Sequence, residues 1–353
     1  MRGVANRATA AAFLFCVAGT WTFSYAGESR VPELRFGITA DAHLMAGKSP
    51  PEHVRYLEQF VRAMAEWRPD FVVDVGDFAC QAGEGQTSPE LHAAQLDGLK
   101  YAWGLYSRVP CPAYAVMGNH DVGWVKGGDE PIMLDQLYER PHGGEDITKA
   151  EHLAVTGMPR RYYSFDVNRY HFIVLDGNNW RGATAVAAGH DGVEGAYWID
   201  DAQRDWLALD LEAHRDQCKV VFCHEELHHT PVEGSGEGGD TPFPAVGKEN
   251  SYVDNGWQIR EMPAADGKVA ACFFGHKHRN RWTVYGGVHY ITLAATHWGG
   301  SYAKVTLSDK LRLDGSGNQR SMELDRTSHT RRVIASEAKQ SPRPAGIASL
   351  RSQ

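Results

Sequence analysis

Ala113-Tyr114-Ala115-Val116-Met117-Gly118-Asn119-His120-Asp121 is the stretch on which the reading of the chain turns. The apolar run from Ala113 to Met117 predicts a buried strand, and it stops at Gly118. An amide, an imidazole and a carboxylate follow directly, on Asn119, His120 and Asp121. Polar groups at the end of a buried strand sit where open α/β sheets hold their ligands. Gly-Asn is also ordinary turn chemistry, so these residues carry weight only if other strands end in the same way.

Four others do. Leu34 to Ala40 runs into Asp41-Ala42-His43, and Phe71 to Val75 into Gly76-Asp77. Lys219 to Cys223 delivers His224, and Val269 to Phe274 delivers Gly275-His276-Lys277-His278. In extended chain residues i and i+2 point the same way, so Asp41 and His43 are expected to face one centre, as are His276 and His278. Glycines at 76, 118 and 275 let the backbone turn sharply and approach that centre. Each piece alone has a plainer reading: a turn for Asp-x-His, a helix cap for Asp77, a core histidine for His224. Five in order, each after an apolar run, point to a metal site.

The segments between them set the fold class. Pro50 and Pro51 introduce a helix whose Val54, Leu57, Phe60, Val61, Met64 and Trp67 recur at three- and four-residue steps, and Pro69 stops it. A second helical stretch runs from Pro89 to about Tyr106. Strand, helix, strand, helix, strand is the rhythm of a parallel sheet with right-handed crossovers, hence an α/β protein. From Gly123 to about Arg160 periodicity is low, which predicts a long irregular segment. Arg161 to Asp166 and Tyr170 to Asp176 read as a hairpin, and Asp200 or Asp201 caps a helix reaching His214. Glu225 to Asn255 reads as a second long loop. Trp282 to Tyr285 and Val288 to Leu293 form a hairpin over Gly286-Gly287, and Tyr302 to Leu307 reads as the last strand.

The chain ends differ from this body. Arg2 and Arg7, the apolar run from Ala10 to Val17 and Ser24-Tyr25-Ala26 read as a secretory signal over residues 1–26. The competing reading is a membrane anchor, but Thr20, Thr22 and Ser24 interrupt the run before it reaches spanning length. The mature protein is therefore expected in the periplasm or outside the cell, as one domain over 27–325. Residues 326–353, with five basic residues besides Arg326 against Glu337 and no periodicity, read as a disordered tail.

Composition narrows the class. The 353 residues are 42% hydrophobic and 23% charged, ample for a sizeable core. A net charge of −8 argues against a nucleic-acid partner, which calls for a basic face. Seventeen histidines invite a search for ligand clusters. Five of six cysteines lie beyond residue 26, an odd number without close spacing, which is no disulfide framework. A Cys80–Cys111 bridge is compatible with an oxidising compartment.

Taken together, the five motifs resemble the calcineurin-like metallophosphoesterases over roughly residues 33–307. The resemblance implies a four-layer α/β/β/α sandwich with two mixed β-sheets and a dinuclear centre. It implies that Asp41, His43 and His278 bind one metal, that Asn119, His224 and His276 bind the other, and that Asp77 bridges them. His120 matches the histidine this family holds near the substrate oxygens as its catalytic residue. Carboxylate, amide and imidazole ligands suit two divalent or mixed-valence ions of Mn, Fe, Zn or Co without choosing among them. Two cations about 3.5–4 Å apart hold phosphoryl oxygens and turn a bridging water into hydroxide at neutral pH.

The sequence also departs from branches of the family. Where the protein phosphatases carry an aspartate that orients the catalytic histidine, this chain has Cys80, and Asp121 is the adjacent carboxylate. The purple acid phosphatases place a metal-binding tyrosine at that position and lack a histidine in the first motif, so His43 with Cys80 argues against that branch. His43 and the short layout resemble the phosphodiesterase side, which leans the expected small-molecule substrate toward phosphodiesters. Phosphomonoesters, or a metal-binding role without catalysis, are the alternatives. Trp124, His142, Trp180, His190, Glu225, His228, His229 and His297 are candidates to line the pocket.

Overall fold

The structure, a computed structural model, describes residues 33–79, 89–122, 147–178, 180–181, 196–227, 252–253 and 255–326. Residues 1–26, Cys80, Trp124, His142, His190, His228, His229 and the tail beyond 326 lie outside the described residues, as does the Trp180 side chain.

The chain builds β1 (Leu34–Thr39), α1 (Pro51–Trp67), β2 (Phe71–Asp74), α2 (Pro89–Tyr106) and β3 (Ala113–Ala115) in the expected alternation. Then come α3 (Lys149–Thr156), β4 (Tyr163–Val167), β5 (Tyr170–Val174), the short pair β6 (Trp180–Arg181) and β7 (Ala196–Tyr197), and α4 (Asp201–Ala213). The remainder is β8 (Cys218–Phe222), α5 (Gly256–Asp266), β9 (Val269–Phe274), β10 (Arg281–Tyr285), β11 (Val288–Thr292), β12 (Tyr302–Leu307), β13 (Lys310–Ser316) and β14 (Met322–Asp325).

Two six-stranded mixed sheets result, in the orders β14-β13-β12-β1-β2-β3 and β10-β11-β9-β8-β5-β4. β1, β2 and β3 run parallel, as do β5, β8, β9 and β11, and antiparallel strands extend each sheet outward. Strand alternation decides what each face meets. Phe36 stacks on Phe71 within its own sheet at 5.0 Å and meets Phe172, Phe222 and Phe273 of the facing sheet edge-on at 5.9–6.0 Å. Gly37, one residue on, faces the helices: a Cβ there would come within 2.3 Å of Met64 Sδ on α1. Leu57, Phe60 and Met64 of α1 pack with Leu99, Ala102 and Tyr106 of α2 over Val72 and Ala115. Leu207 and Leu211 of α4 and Ile259 of α5 cover the far face of the second sheet. The layers are therefore helix, sheet, sheet, helix.

Several sequence expectations need correction. Tyr302–Leu307 is not the last strand, because β13 pairs with it and β14 pairs with β13. The irregular stretch before Arg161 contains α3, which opens with a capping box: Thr148 accepts from the Glu151 N–H and the Glu151 side chain returns to Thr148. The interval between the second long loop and β9 holds α5, which carries Pro263 internally. Asp200, not Asp201, caps α4, accepting the Gln203 N–H at 2.9 Å. Cys80 lies outside the described residues, and with it the Cys80–Cys111 bridge. Among the described residues no helix is long and apolar enough to cross a membrane.

Candidate metal centre

All five motif loops leave the same end of the two sheets. Asp41 and His43 follow β1, Asp77 follows β2, Asn119 and His120 follow β3, His224 follows β8, and His276 and His278 follow β9. The first three loops belong to one sheet and the last two to the other, so the cluster straddles the seam between sheets.

The turns that aim these side chains are not extended chain, which corrects the i, i+2 expectation. Asp41, His43, Asp77, His276 and His278 all have left-handed backbones, with φ of 57°, 47°, 60°, 67° and 57°. Among the described non-glycine residues only Arg68 and Asn168 share a positive φ. Such conformations crowd Cβ against the backbone and persist only where surrounding structure enforces them. Here the enforcement is visible in hydrogen bonds: Asp41 N–H donates to the Gly76 carbonyl and His43 N–H to the Asp77 carbonyl, both at 2.9 Å. His276 N–H donates to Asp41 Oδ1 at 3.0 Å, tying the second sheet to the first.

The seven residues gather as two clusters that share a carboxylate. Ligand atoms of Asp41, His43, Asp77 and His278 lie within 4.8 Å of one another, and so do those of Asp77, His224 and His276. His43 Nε2 and His278 Nε2 are 3.0 Å apart, and His278 Nε2 is 3.3 Å from Asp41 Oδ1. On the other side Asn119 Oδ1 is 2.7 Å from His276 Nδ1 and 3.2 Å from His224 Nε2.

Asp77 is used asymmetrically. Its Oδ1 accepts the His120 backbone N–H at 2.7 Å, whereas Oδ2 is buried without a hydrogen-bond partner. That bare oxygen stands 3.1 Å from His224 Nε2 and 3.7 Å from His43 Nε2. A buried anionic oxygen with no well-aligned donor is costly unless a cation faces it, so the donor set fits ions on both sides of Asp77. His224 is oriented for the same purpose: its Nδ1 donates to the Val75 carbonyl at 2.7 Å, which leaves Nε2 facing the cluster.

Electrostatics follow from burial and crowding. Burial pushes the Asp77 carboxyl up, but His224, His120 and His43 prevail and hold it well below the usual carboxylate range. Burial lowers His43 to about 4 against the opposing pull of Asp77 and Asp41, so it is a neutral imidazole with a lone pair to give. Burial acts to lower His224, but Asp77 and Asp41 prevail and raise it well above its ordinary value, so Nε2 holds a proton toward Asp77 that a bound ion would displace.

Asp121 does not orient His120. Its carboxylate, fully buried, accepts the backbone N–H of Asp77 at 2.8 Å, Gly118 at 2.9 Å and Ala79 at 3.0 Å. It therefore staples the Asp77 loop to the Asn119 loop. His120 has a buried Nδ1 with no hydrogen-bond partner, and its backbone is held through Gln95, which donates to its carbonyl at 3.0 Å. The His120 ring stands edge-on to His43 at 4.9 Å.

Of the pocket candidates within the described residues, Glu225 is fully buried and so lines no open pocket. His297 does reach the cluster, through the Asp41 carbonyl and the His43 and His278 rings. Gln95 and Asn178, which donates to the Gly118 carbonyl at 3.1 Å, support the Asn119 loop and carry no sequence signal that marks them out.

Two sheets face to face, helices outside, and paired ligand clusters on one carboxylate at the strand ends define a class, that of metal-dependent hydrolases built as α/β/β/α sandwiches. The sequence model described as calcineurin-like phosphoesterase matches residues 34–280, and the chain belongs to that family. The family is dinuclear and metal-dependent, and the protein is a metal-dependent phosphoric ester hydrolase. Among solved structures, a dimetal phosphatase from Danio rerio is similar at 15% identity and a TM-score of 0.59, over 83% of this chain and 99% of that one. A purple acid phosphatase from yellow lupin seeds is similar at 13% identity and a TM-score of 0.52, over 84% of this chain and 53% of that one. Both show a shared fold. No curated protein matches the chain significantly.

Proposed function

We propose that this phosphoesterase cleaves phosphodiesters at a two-metal centre, with Asp41, His43 and His278 holding one ion and Asn119, His224 and His276 the other. Asp77 belongs to both. The observation that carries the reading is Asp77, common to the two clusters, whose buried Oδ2 meets no well-aligned donor and only the His224 and His43 imidazoles. When bound, such a pair of ions supplies Lewis acidity and a nucleophile drawn from water at neutral pH. The residues do the rest. Asp121 fixes the two loops in register, and His120, beside His43 on the half-exposed side of the cluster, delivers a proton to the leaving alkoxide.

The diester preference rests on His43 in the first motif. Comparing turnover of a nitrophenyl phosphate monoester with the bis-nitrophenyl diester under Mn, Zn, Co and Fe tests it. A faster diester reaction, abolished by chelation, is expected; a strong monoester preference overturns it. That second reading is favoured by the two solved relatives, both described as phosphatases. We also propose that residues 1–26 are a cleaved export signal, placing the enzyme in the periplasm or outside the cell. A mature chain beginning at Gly27 is expected, and one retaining Met1 contradicts it.

A further inference from the structure

His297 lies in the loop between β11 and β12, on the outer side of the Asp41–His43–His278 cluster, and the family resemblance gives it no role. Two donors of this residue grip one acceptor: its backbone N–H stands 3.2 Å and its Nδ1 2.8 Å from the Asp41 carbonyl. A carbonyl only accepts, so Nδ1 carries the proton and Nε2 keeps its lone pair. The preceding Thr296 N–H donates to the Ala40 carbonyl at 2.8 Å, which fastens the loop to the strand end that bears Asp41 and His43.

The ring is placed for more than this contact. It stands edge-to-face with His43 and with His278, 4.8 Å from each, at interplanar angles of 85° and 84°. His43 and His278 are themselves 5.0 Å apart at 70°. One ring nitrogen from each of the three imidazoles lies within 4.8 Å of the others. Two nitrogens bound to one such ion stand at most about 4.2 Å apart, twice the bond length, so the three imidazoles have to draw together by about half an ångström to share an ion. An N–H donated from one ring nitrogen to a backbone carbonyl is how metal-ligating histidines fix the other nitrogen toward the ion. His224 uses that device with Val75, and His297 repeats it with Asp41. Trp298, half exposed, packs against both, its ring centroid 5.2 Å from those of His278 and His297.

We propose that His297 is a further ligand, through Nε2, of the ion held by Asp41, His43 and His278; the proposal rests on the two-metal reading above. The first ion then has five protein groups (Asp41, His43, Asp77, His278 and His297) and the second has four (Asp77, Asn119, His224 and His276). The first ion would then be the tighter of the two.

The test uses the full chain loaded with Co(II) and titrated against a chelator. The wild type is expected to bind two ions of unequal affinity; a wild type that binds none sinks the two-metal reading itself. His297→Asn keeps a donor near the Nδ1 position but offers nothing at Nε2, whereas His297→Gln does the reverse. His297→Asn is expected to weaken the tighter ion by about tenfold or more and to change its visible Co(II) band, with a smaller loss in His297→Gln. Unchanged affinity in His297→Asn, or better retention in Asn than in Gln, overturns the proposal, since His297 then acts only through the Asp41 backbone. A measurement without variants gives the same decision. Pulsed EPR of the wild type with one equivalent of Mn(II) should count three imidazole nitrogens, a number the second site with His224 and His276 cannot reach, and two contradicts His297 as a ligand of the tighter ion.

Discussion

His120 and Asp121 are neighbours in sequence that do unrelated work. His120→Ala is expected to abolish most turnover while both ions stay bound, because its side chain is not among the clustered ligand atoms; metal analysis beside a kinetic assay checks this. Asp121→Ala leaves three buried backbone N–H groups without an acceptor, each costing about 1–3 kcal/mol. The expected result is destabilisation of about 3 kcal/mol or more by denaturant titration, together with weakened metal binding. A separate residue sets a pH dependence far from the centre. His171 is held between Asp210 and Asp166 at 2.8 and 2.9 Å and stacked on His214, with Ser164 and Gln217 bonded to the two carboxylates. Burial acts to lower its pKa, but the two carboxylates prevail and raise it above 6.5. Its stabilising contribution is therefore complete below pH 6.5 and lost as pH rises through the raised folded value. Stability of the wild type should fall over that range more steeply than stability of His171→Asn.

At the scale of elements, three ligand loops turn at a glycine, 76, 118 or 275, that admits no extra atoms. A Cβ on Gly118 would stand 2.2 Å from Asp77 Oδ1 and 2.3 Å from its backbone N. Gly118→Ala must therefore displace Asp77, and both ions should be lost from it while the circular dichroism of the sheets persists. The strand ends were readable in the sequence because apolar runs such as Phe71 to Val75 stop abruptly at polar residues. The left-handed turns were not, since Asp and His at 41, 43, 77, 276 and 278 advertise no positive φ, and only tertiary hydrogen bonds impose it. α5 was hidden by Pro263, although Gly256, Ile259 and Pro263 are its buried positions at helical spacing. β13 has a legible signal: Lys310-Leu311-Arg312-Leu313 alternates charged and apolar, and the two leucines are its buried face.

On the scale of the whole molecule, the ligands bind the sheets to each other. One sheet supplies Asp41, His43, Asp77 and Asn119, and the other supplies His224, His276 and His278. The same interface is filled further in by Phe36 against Phe172, Phe222 and Phe273. Ions that bind only the docked arrangement stabilise it by mass action, about 2.7 kcal/mol at a hundredfold excess over the dissociation constant. Chelation is therefore expected to lower the melting temperature of the wild type. Phe36→Ala, which removes the ring at the seam, should cost about 3–5 kcal/mol and weaken metal affinity without touching a ligand. The α/β class and the parallel β1–β2–β3 core were legible because helix and strand alternate there. Which strands form each sheet was not, because sheet membership depends on contacts between segments remote in the chain, such as β1 with β12.

The left-handed turns at Asp41, His43, Asp77, His276 and His278 set stability and activity in opposition. Each such turn stores of order 1–3 kcal/mol of backbone strain that glycine would not carry. Glycine at His43, His276 or His278 is therefore expected to relieve strain in the metal-free chain, whereas at Asp41 and Asp77 it would also remove acceptors of the His276 and His120 N–H groups. A lineage released from selection for hydrolysis would be expected to shed its ligands first at His43, His276 and His278, and to keep Asp41 and Asp77 longest.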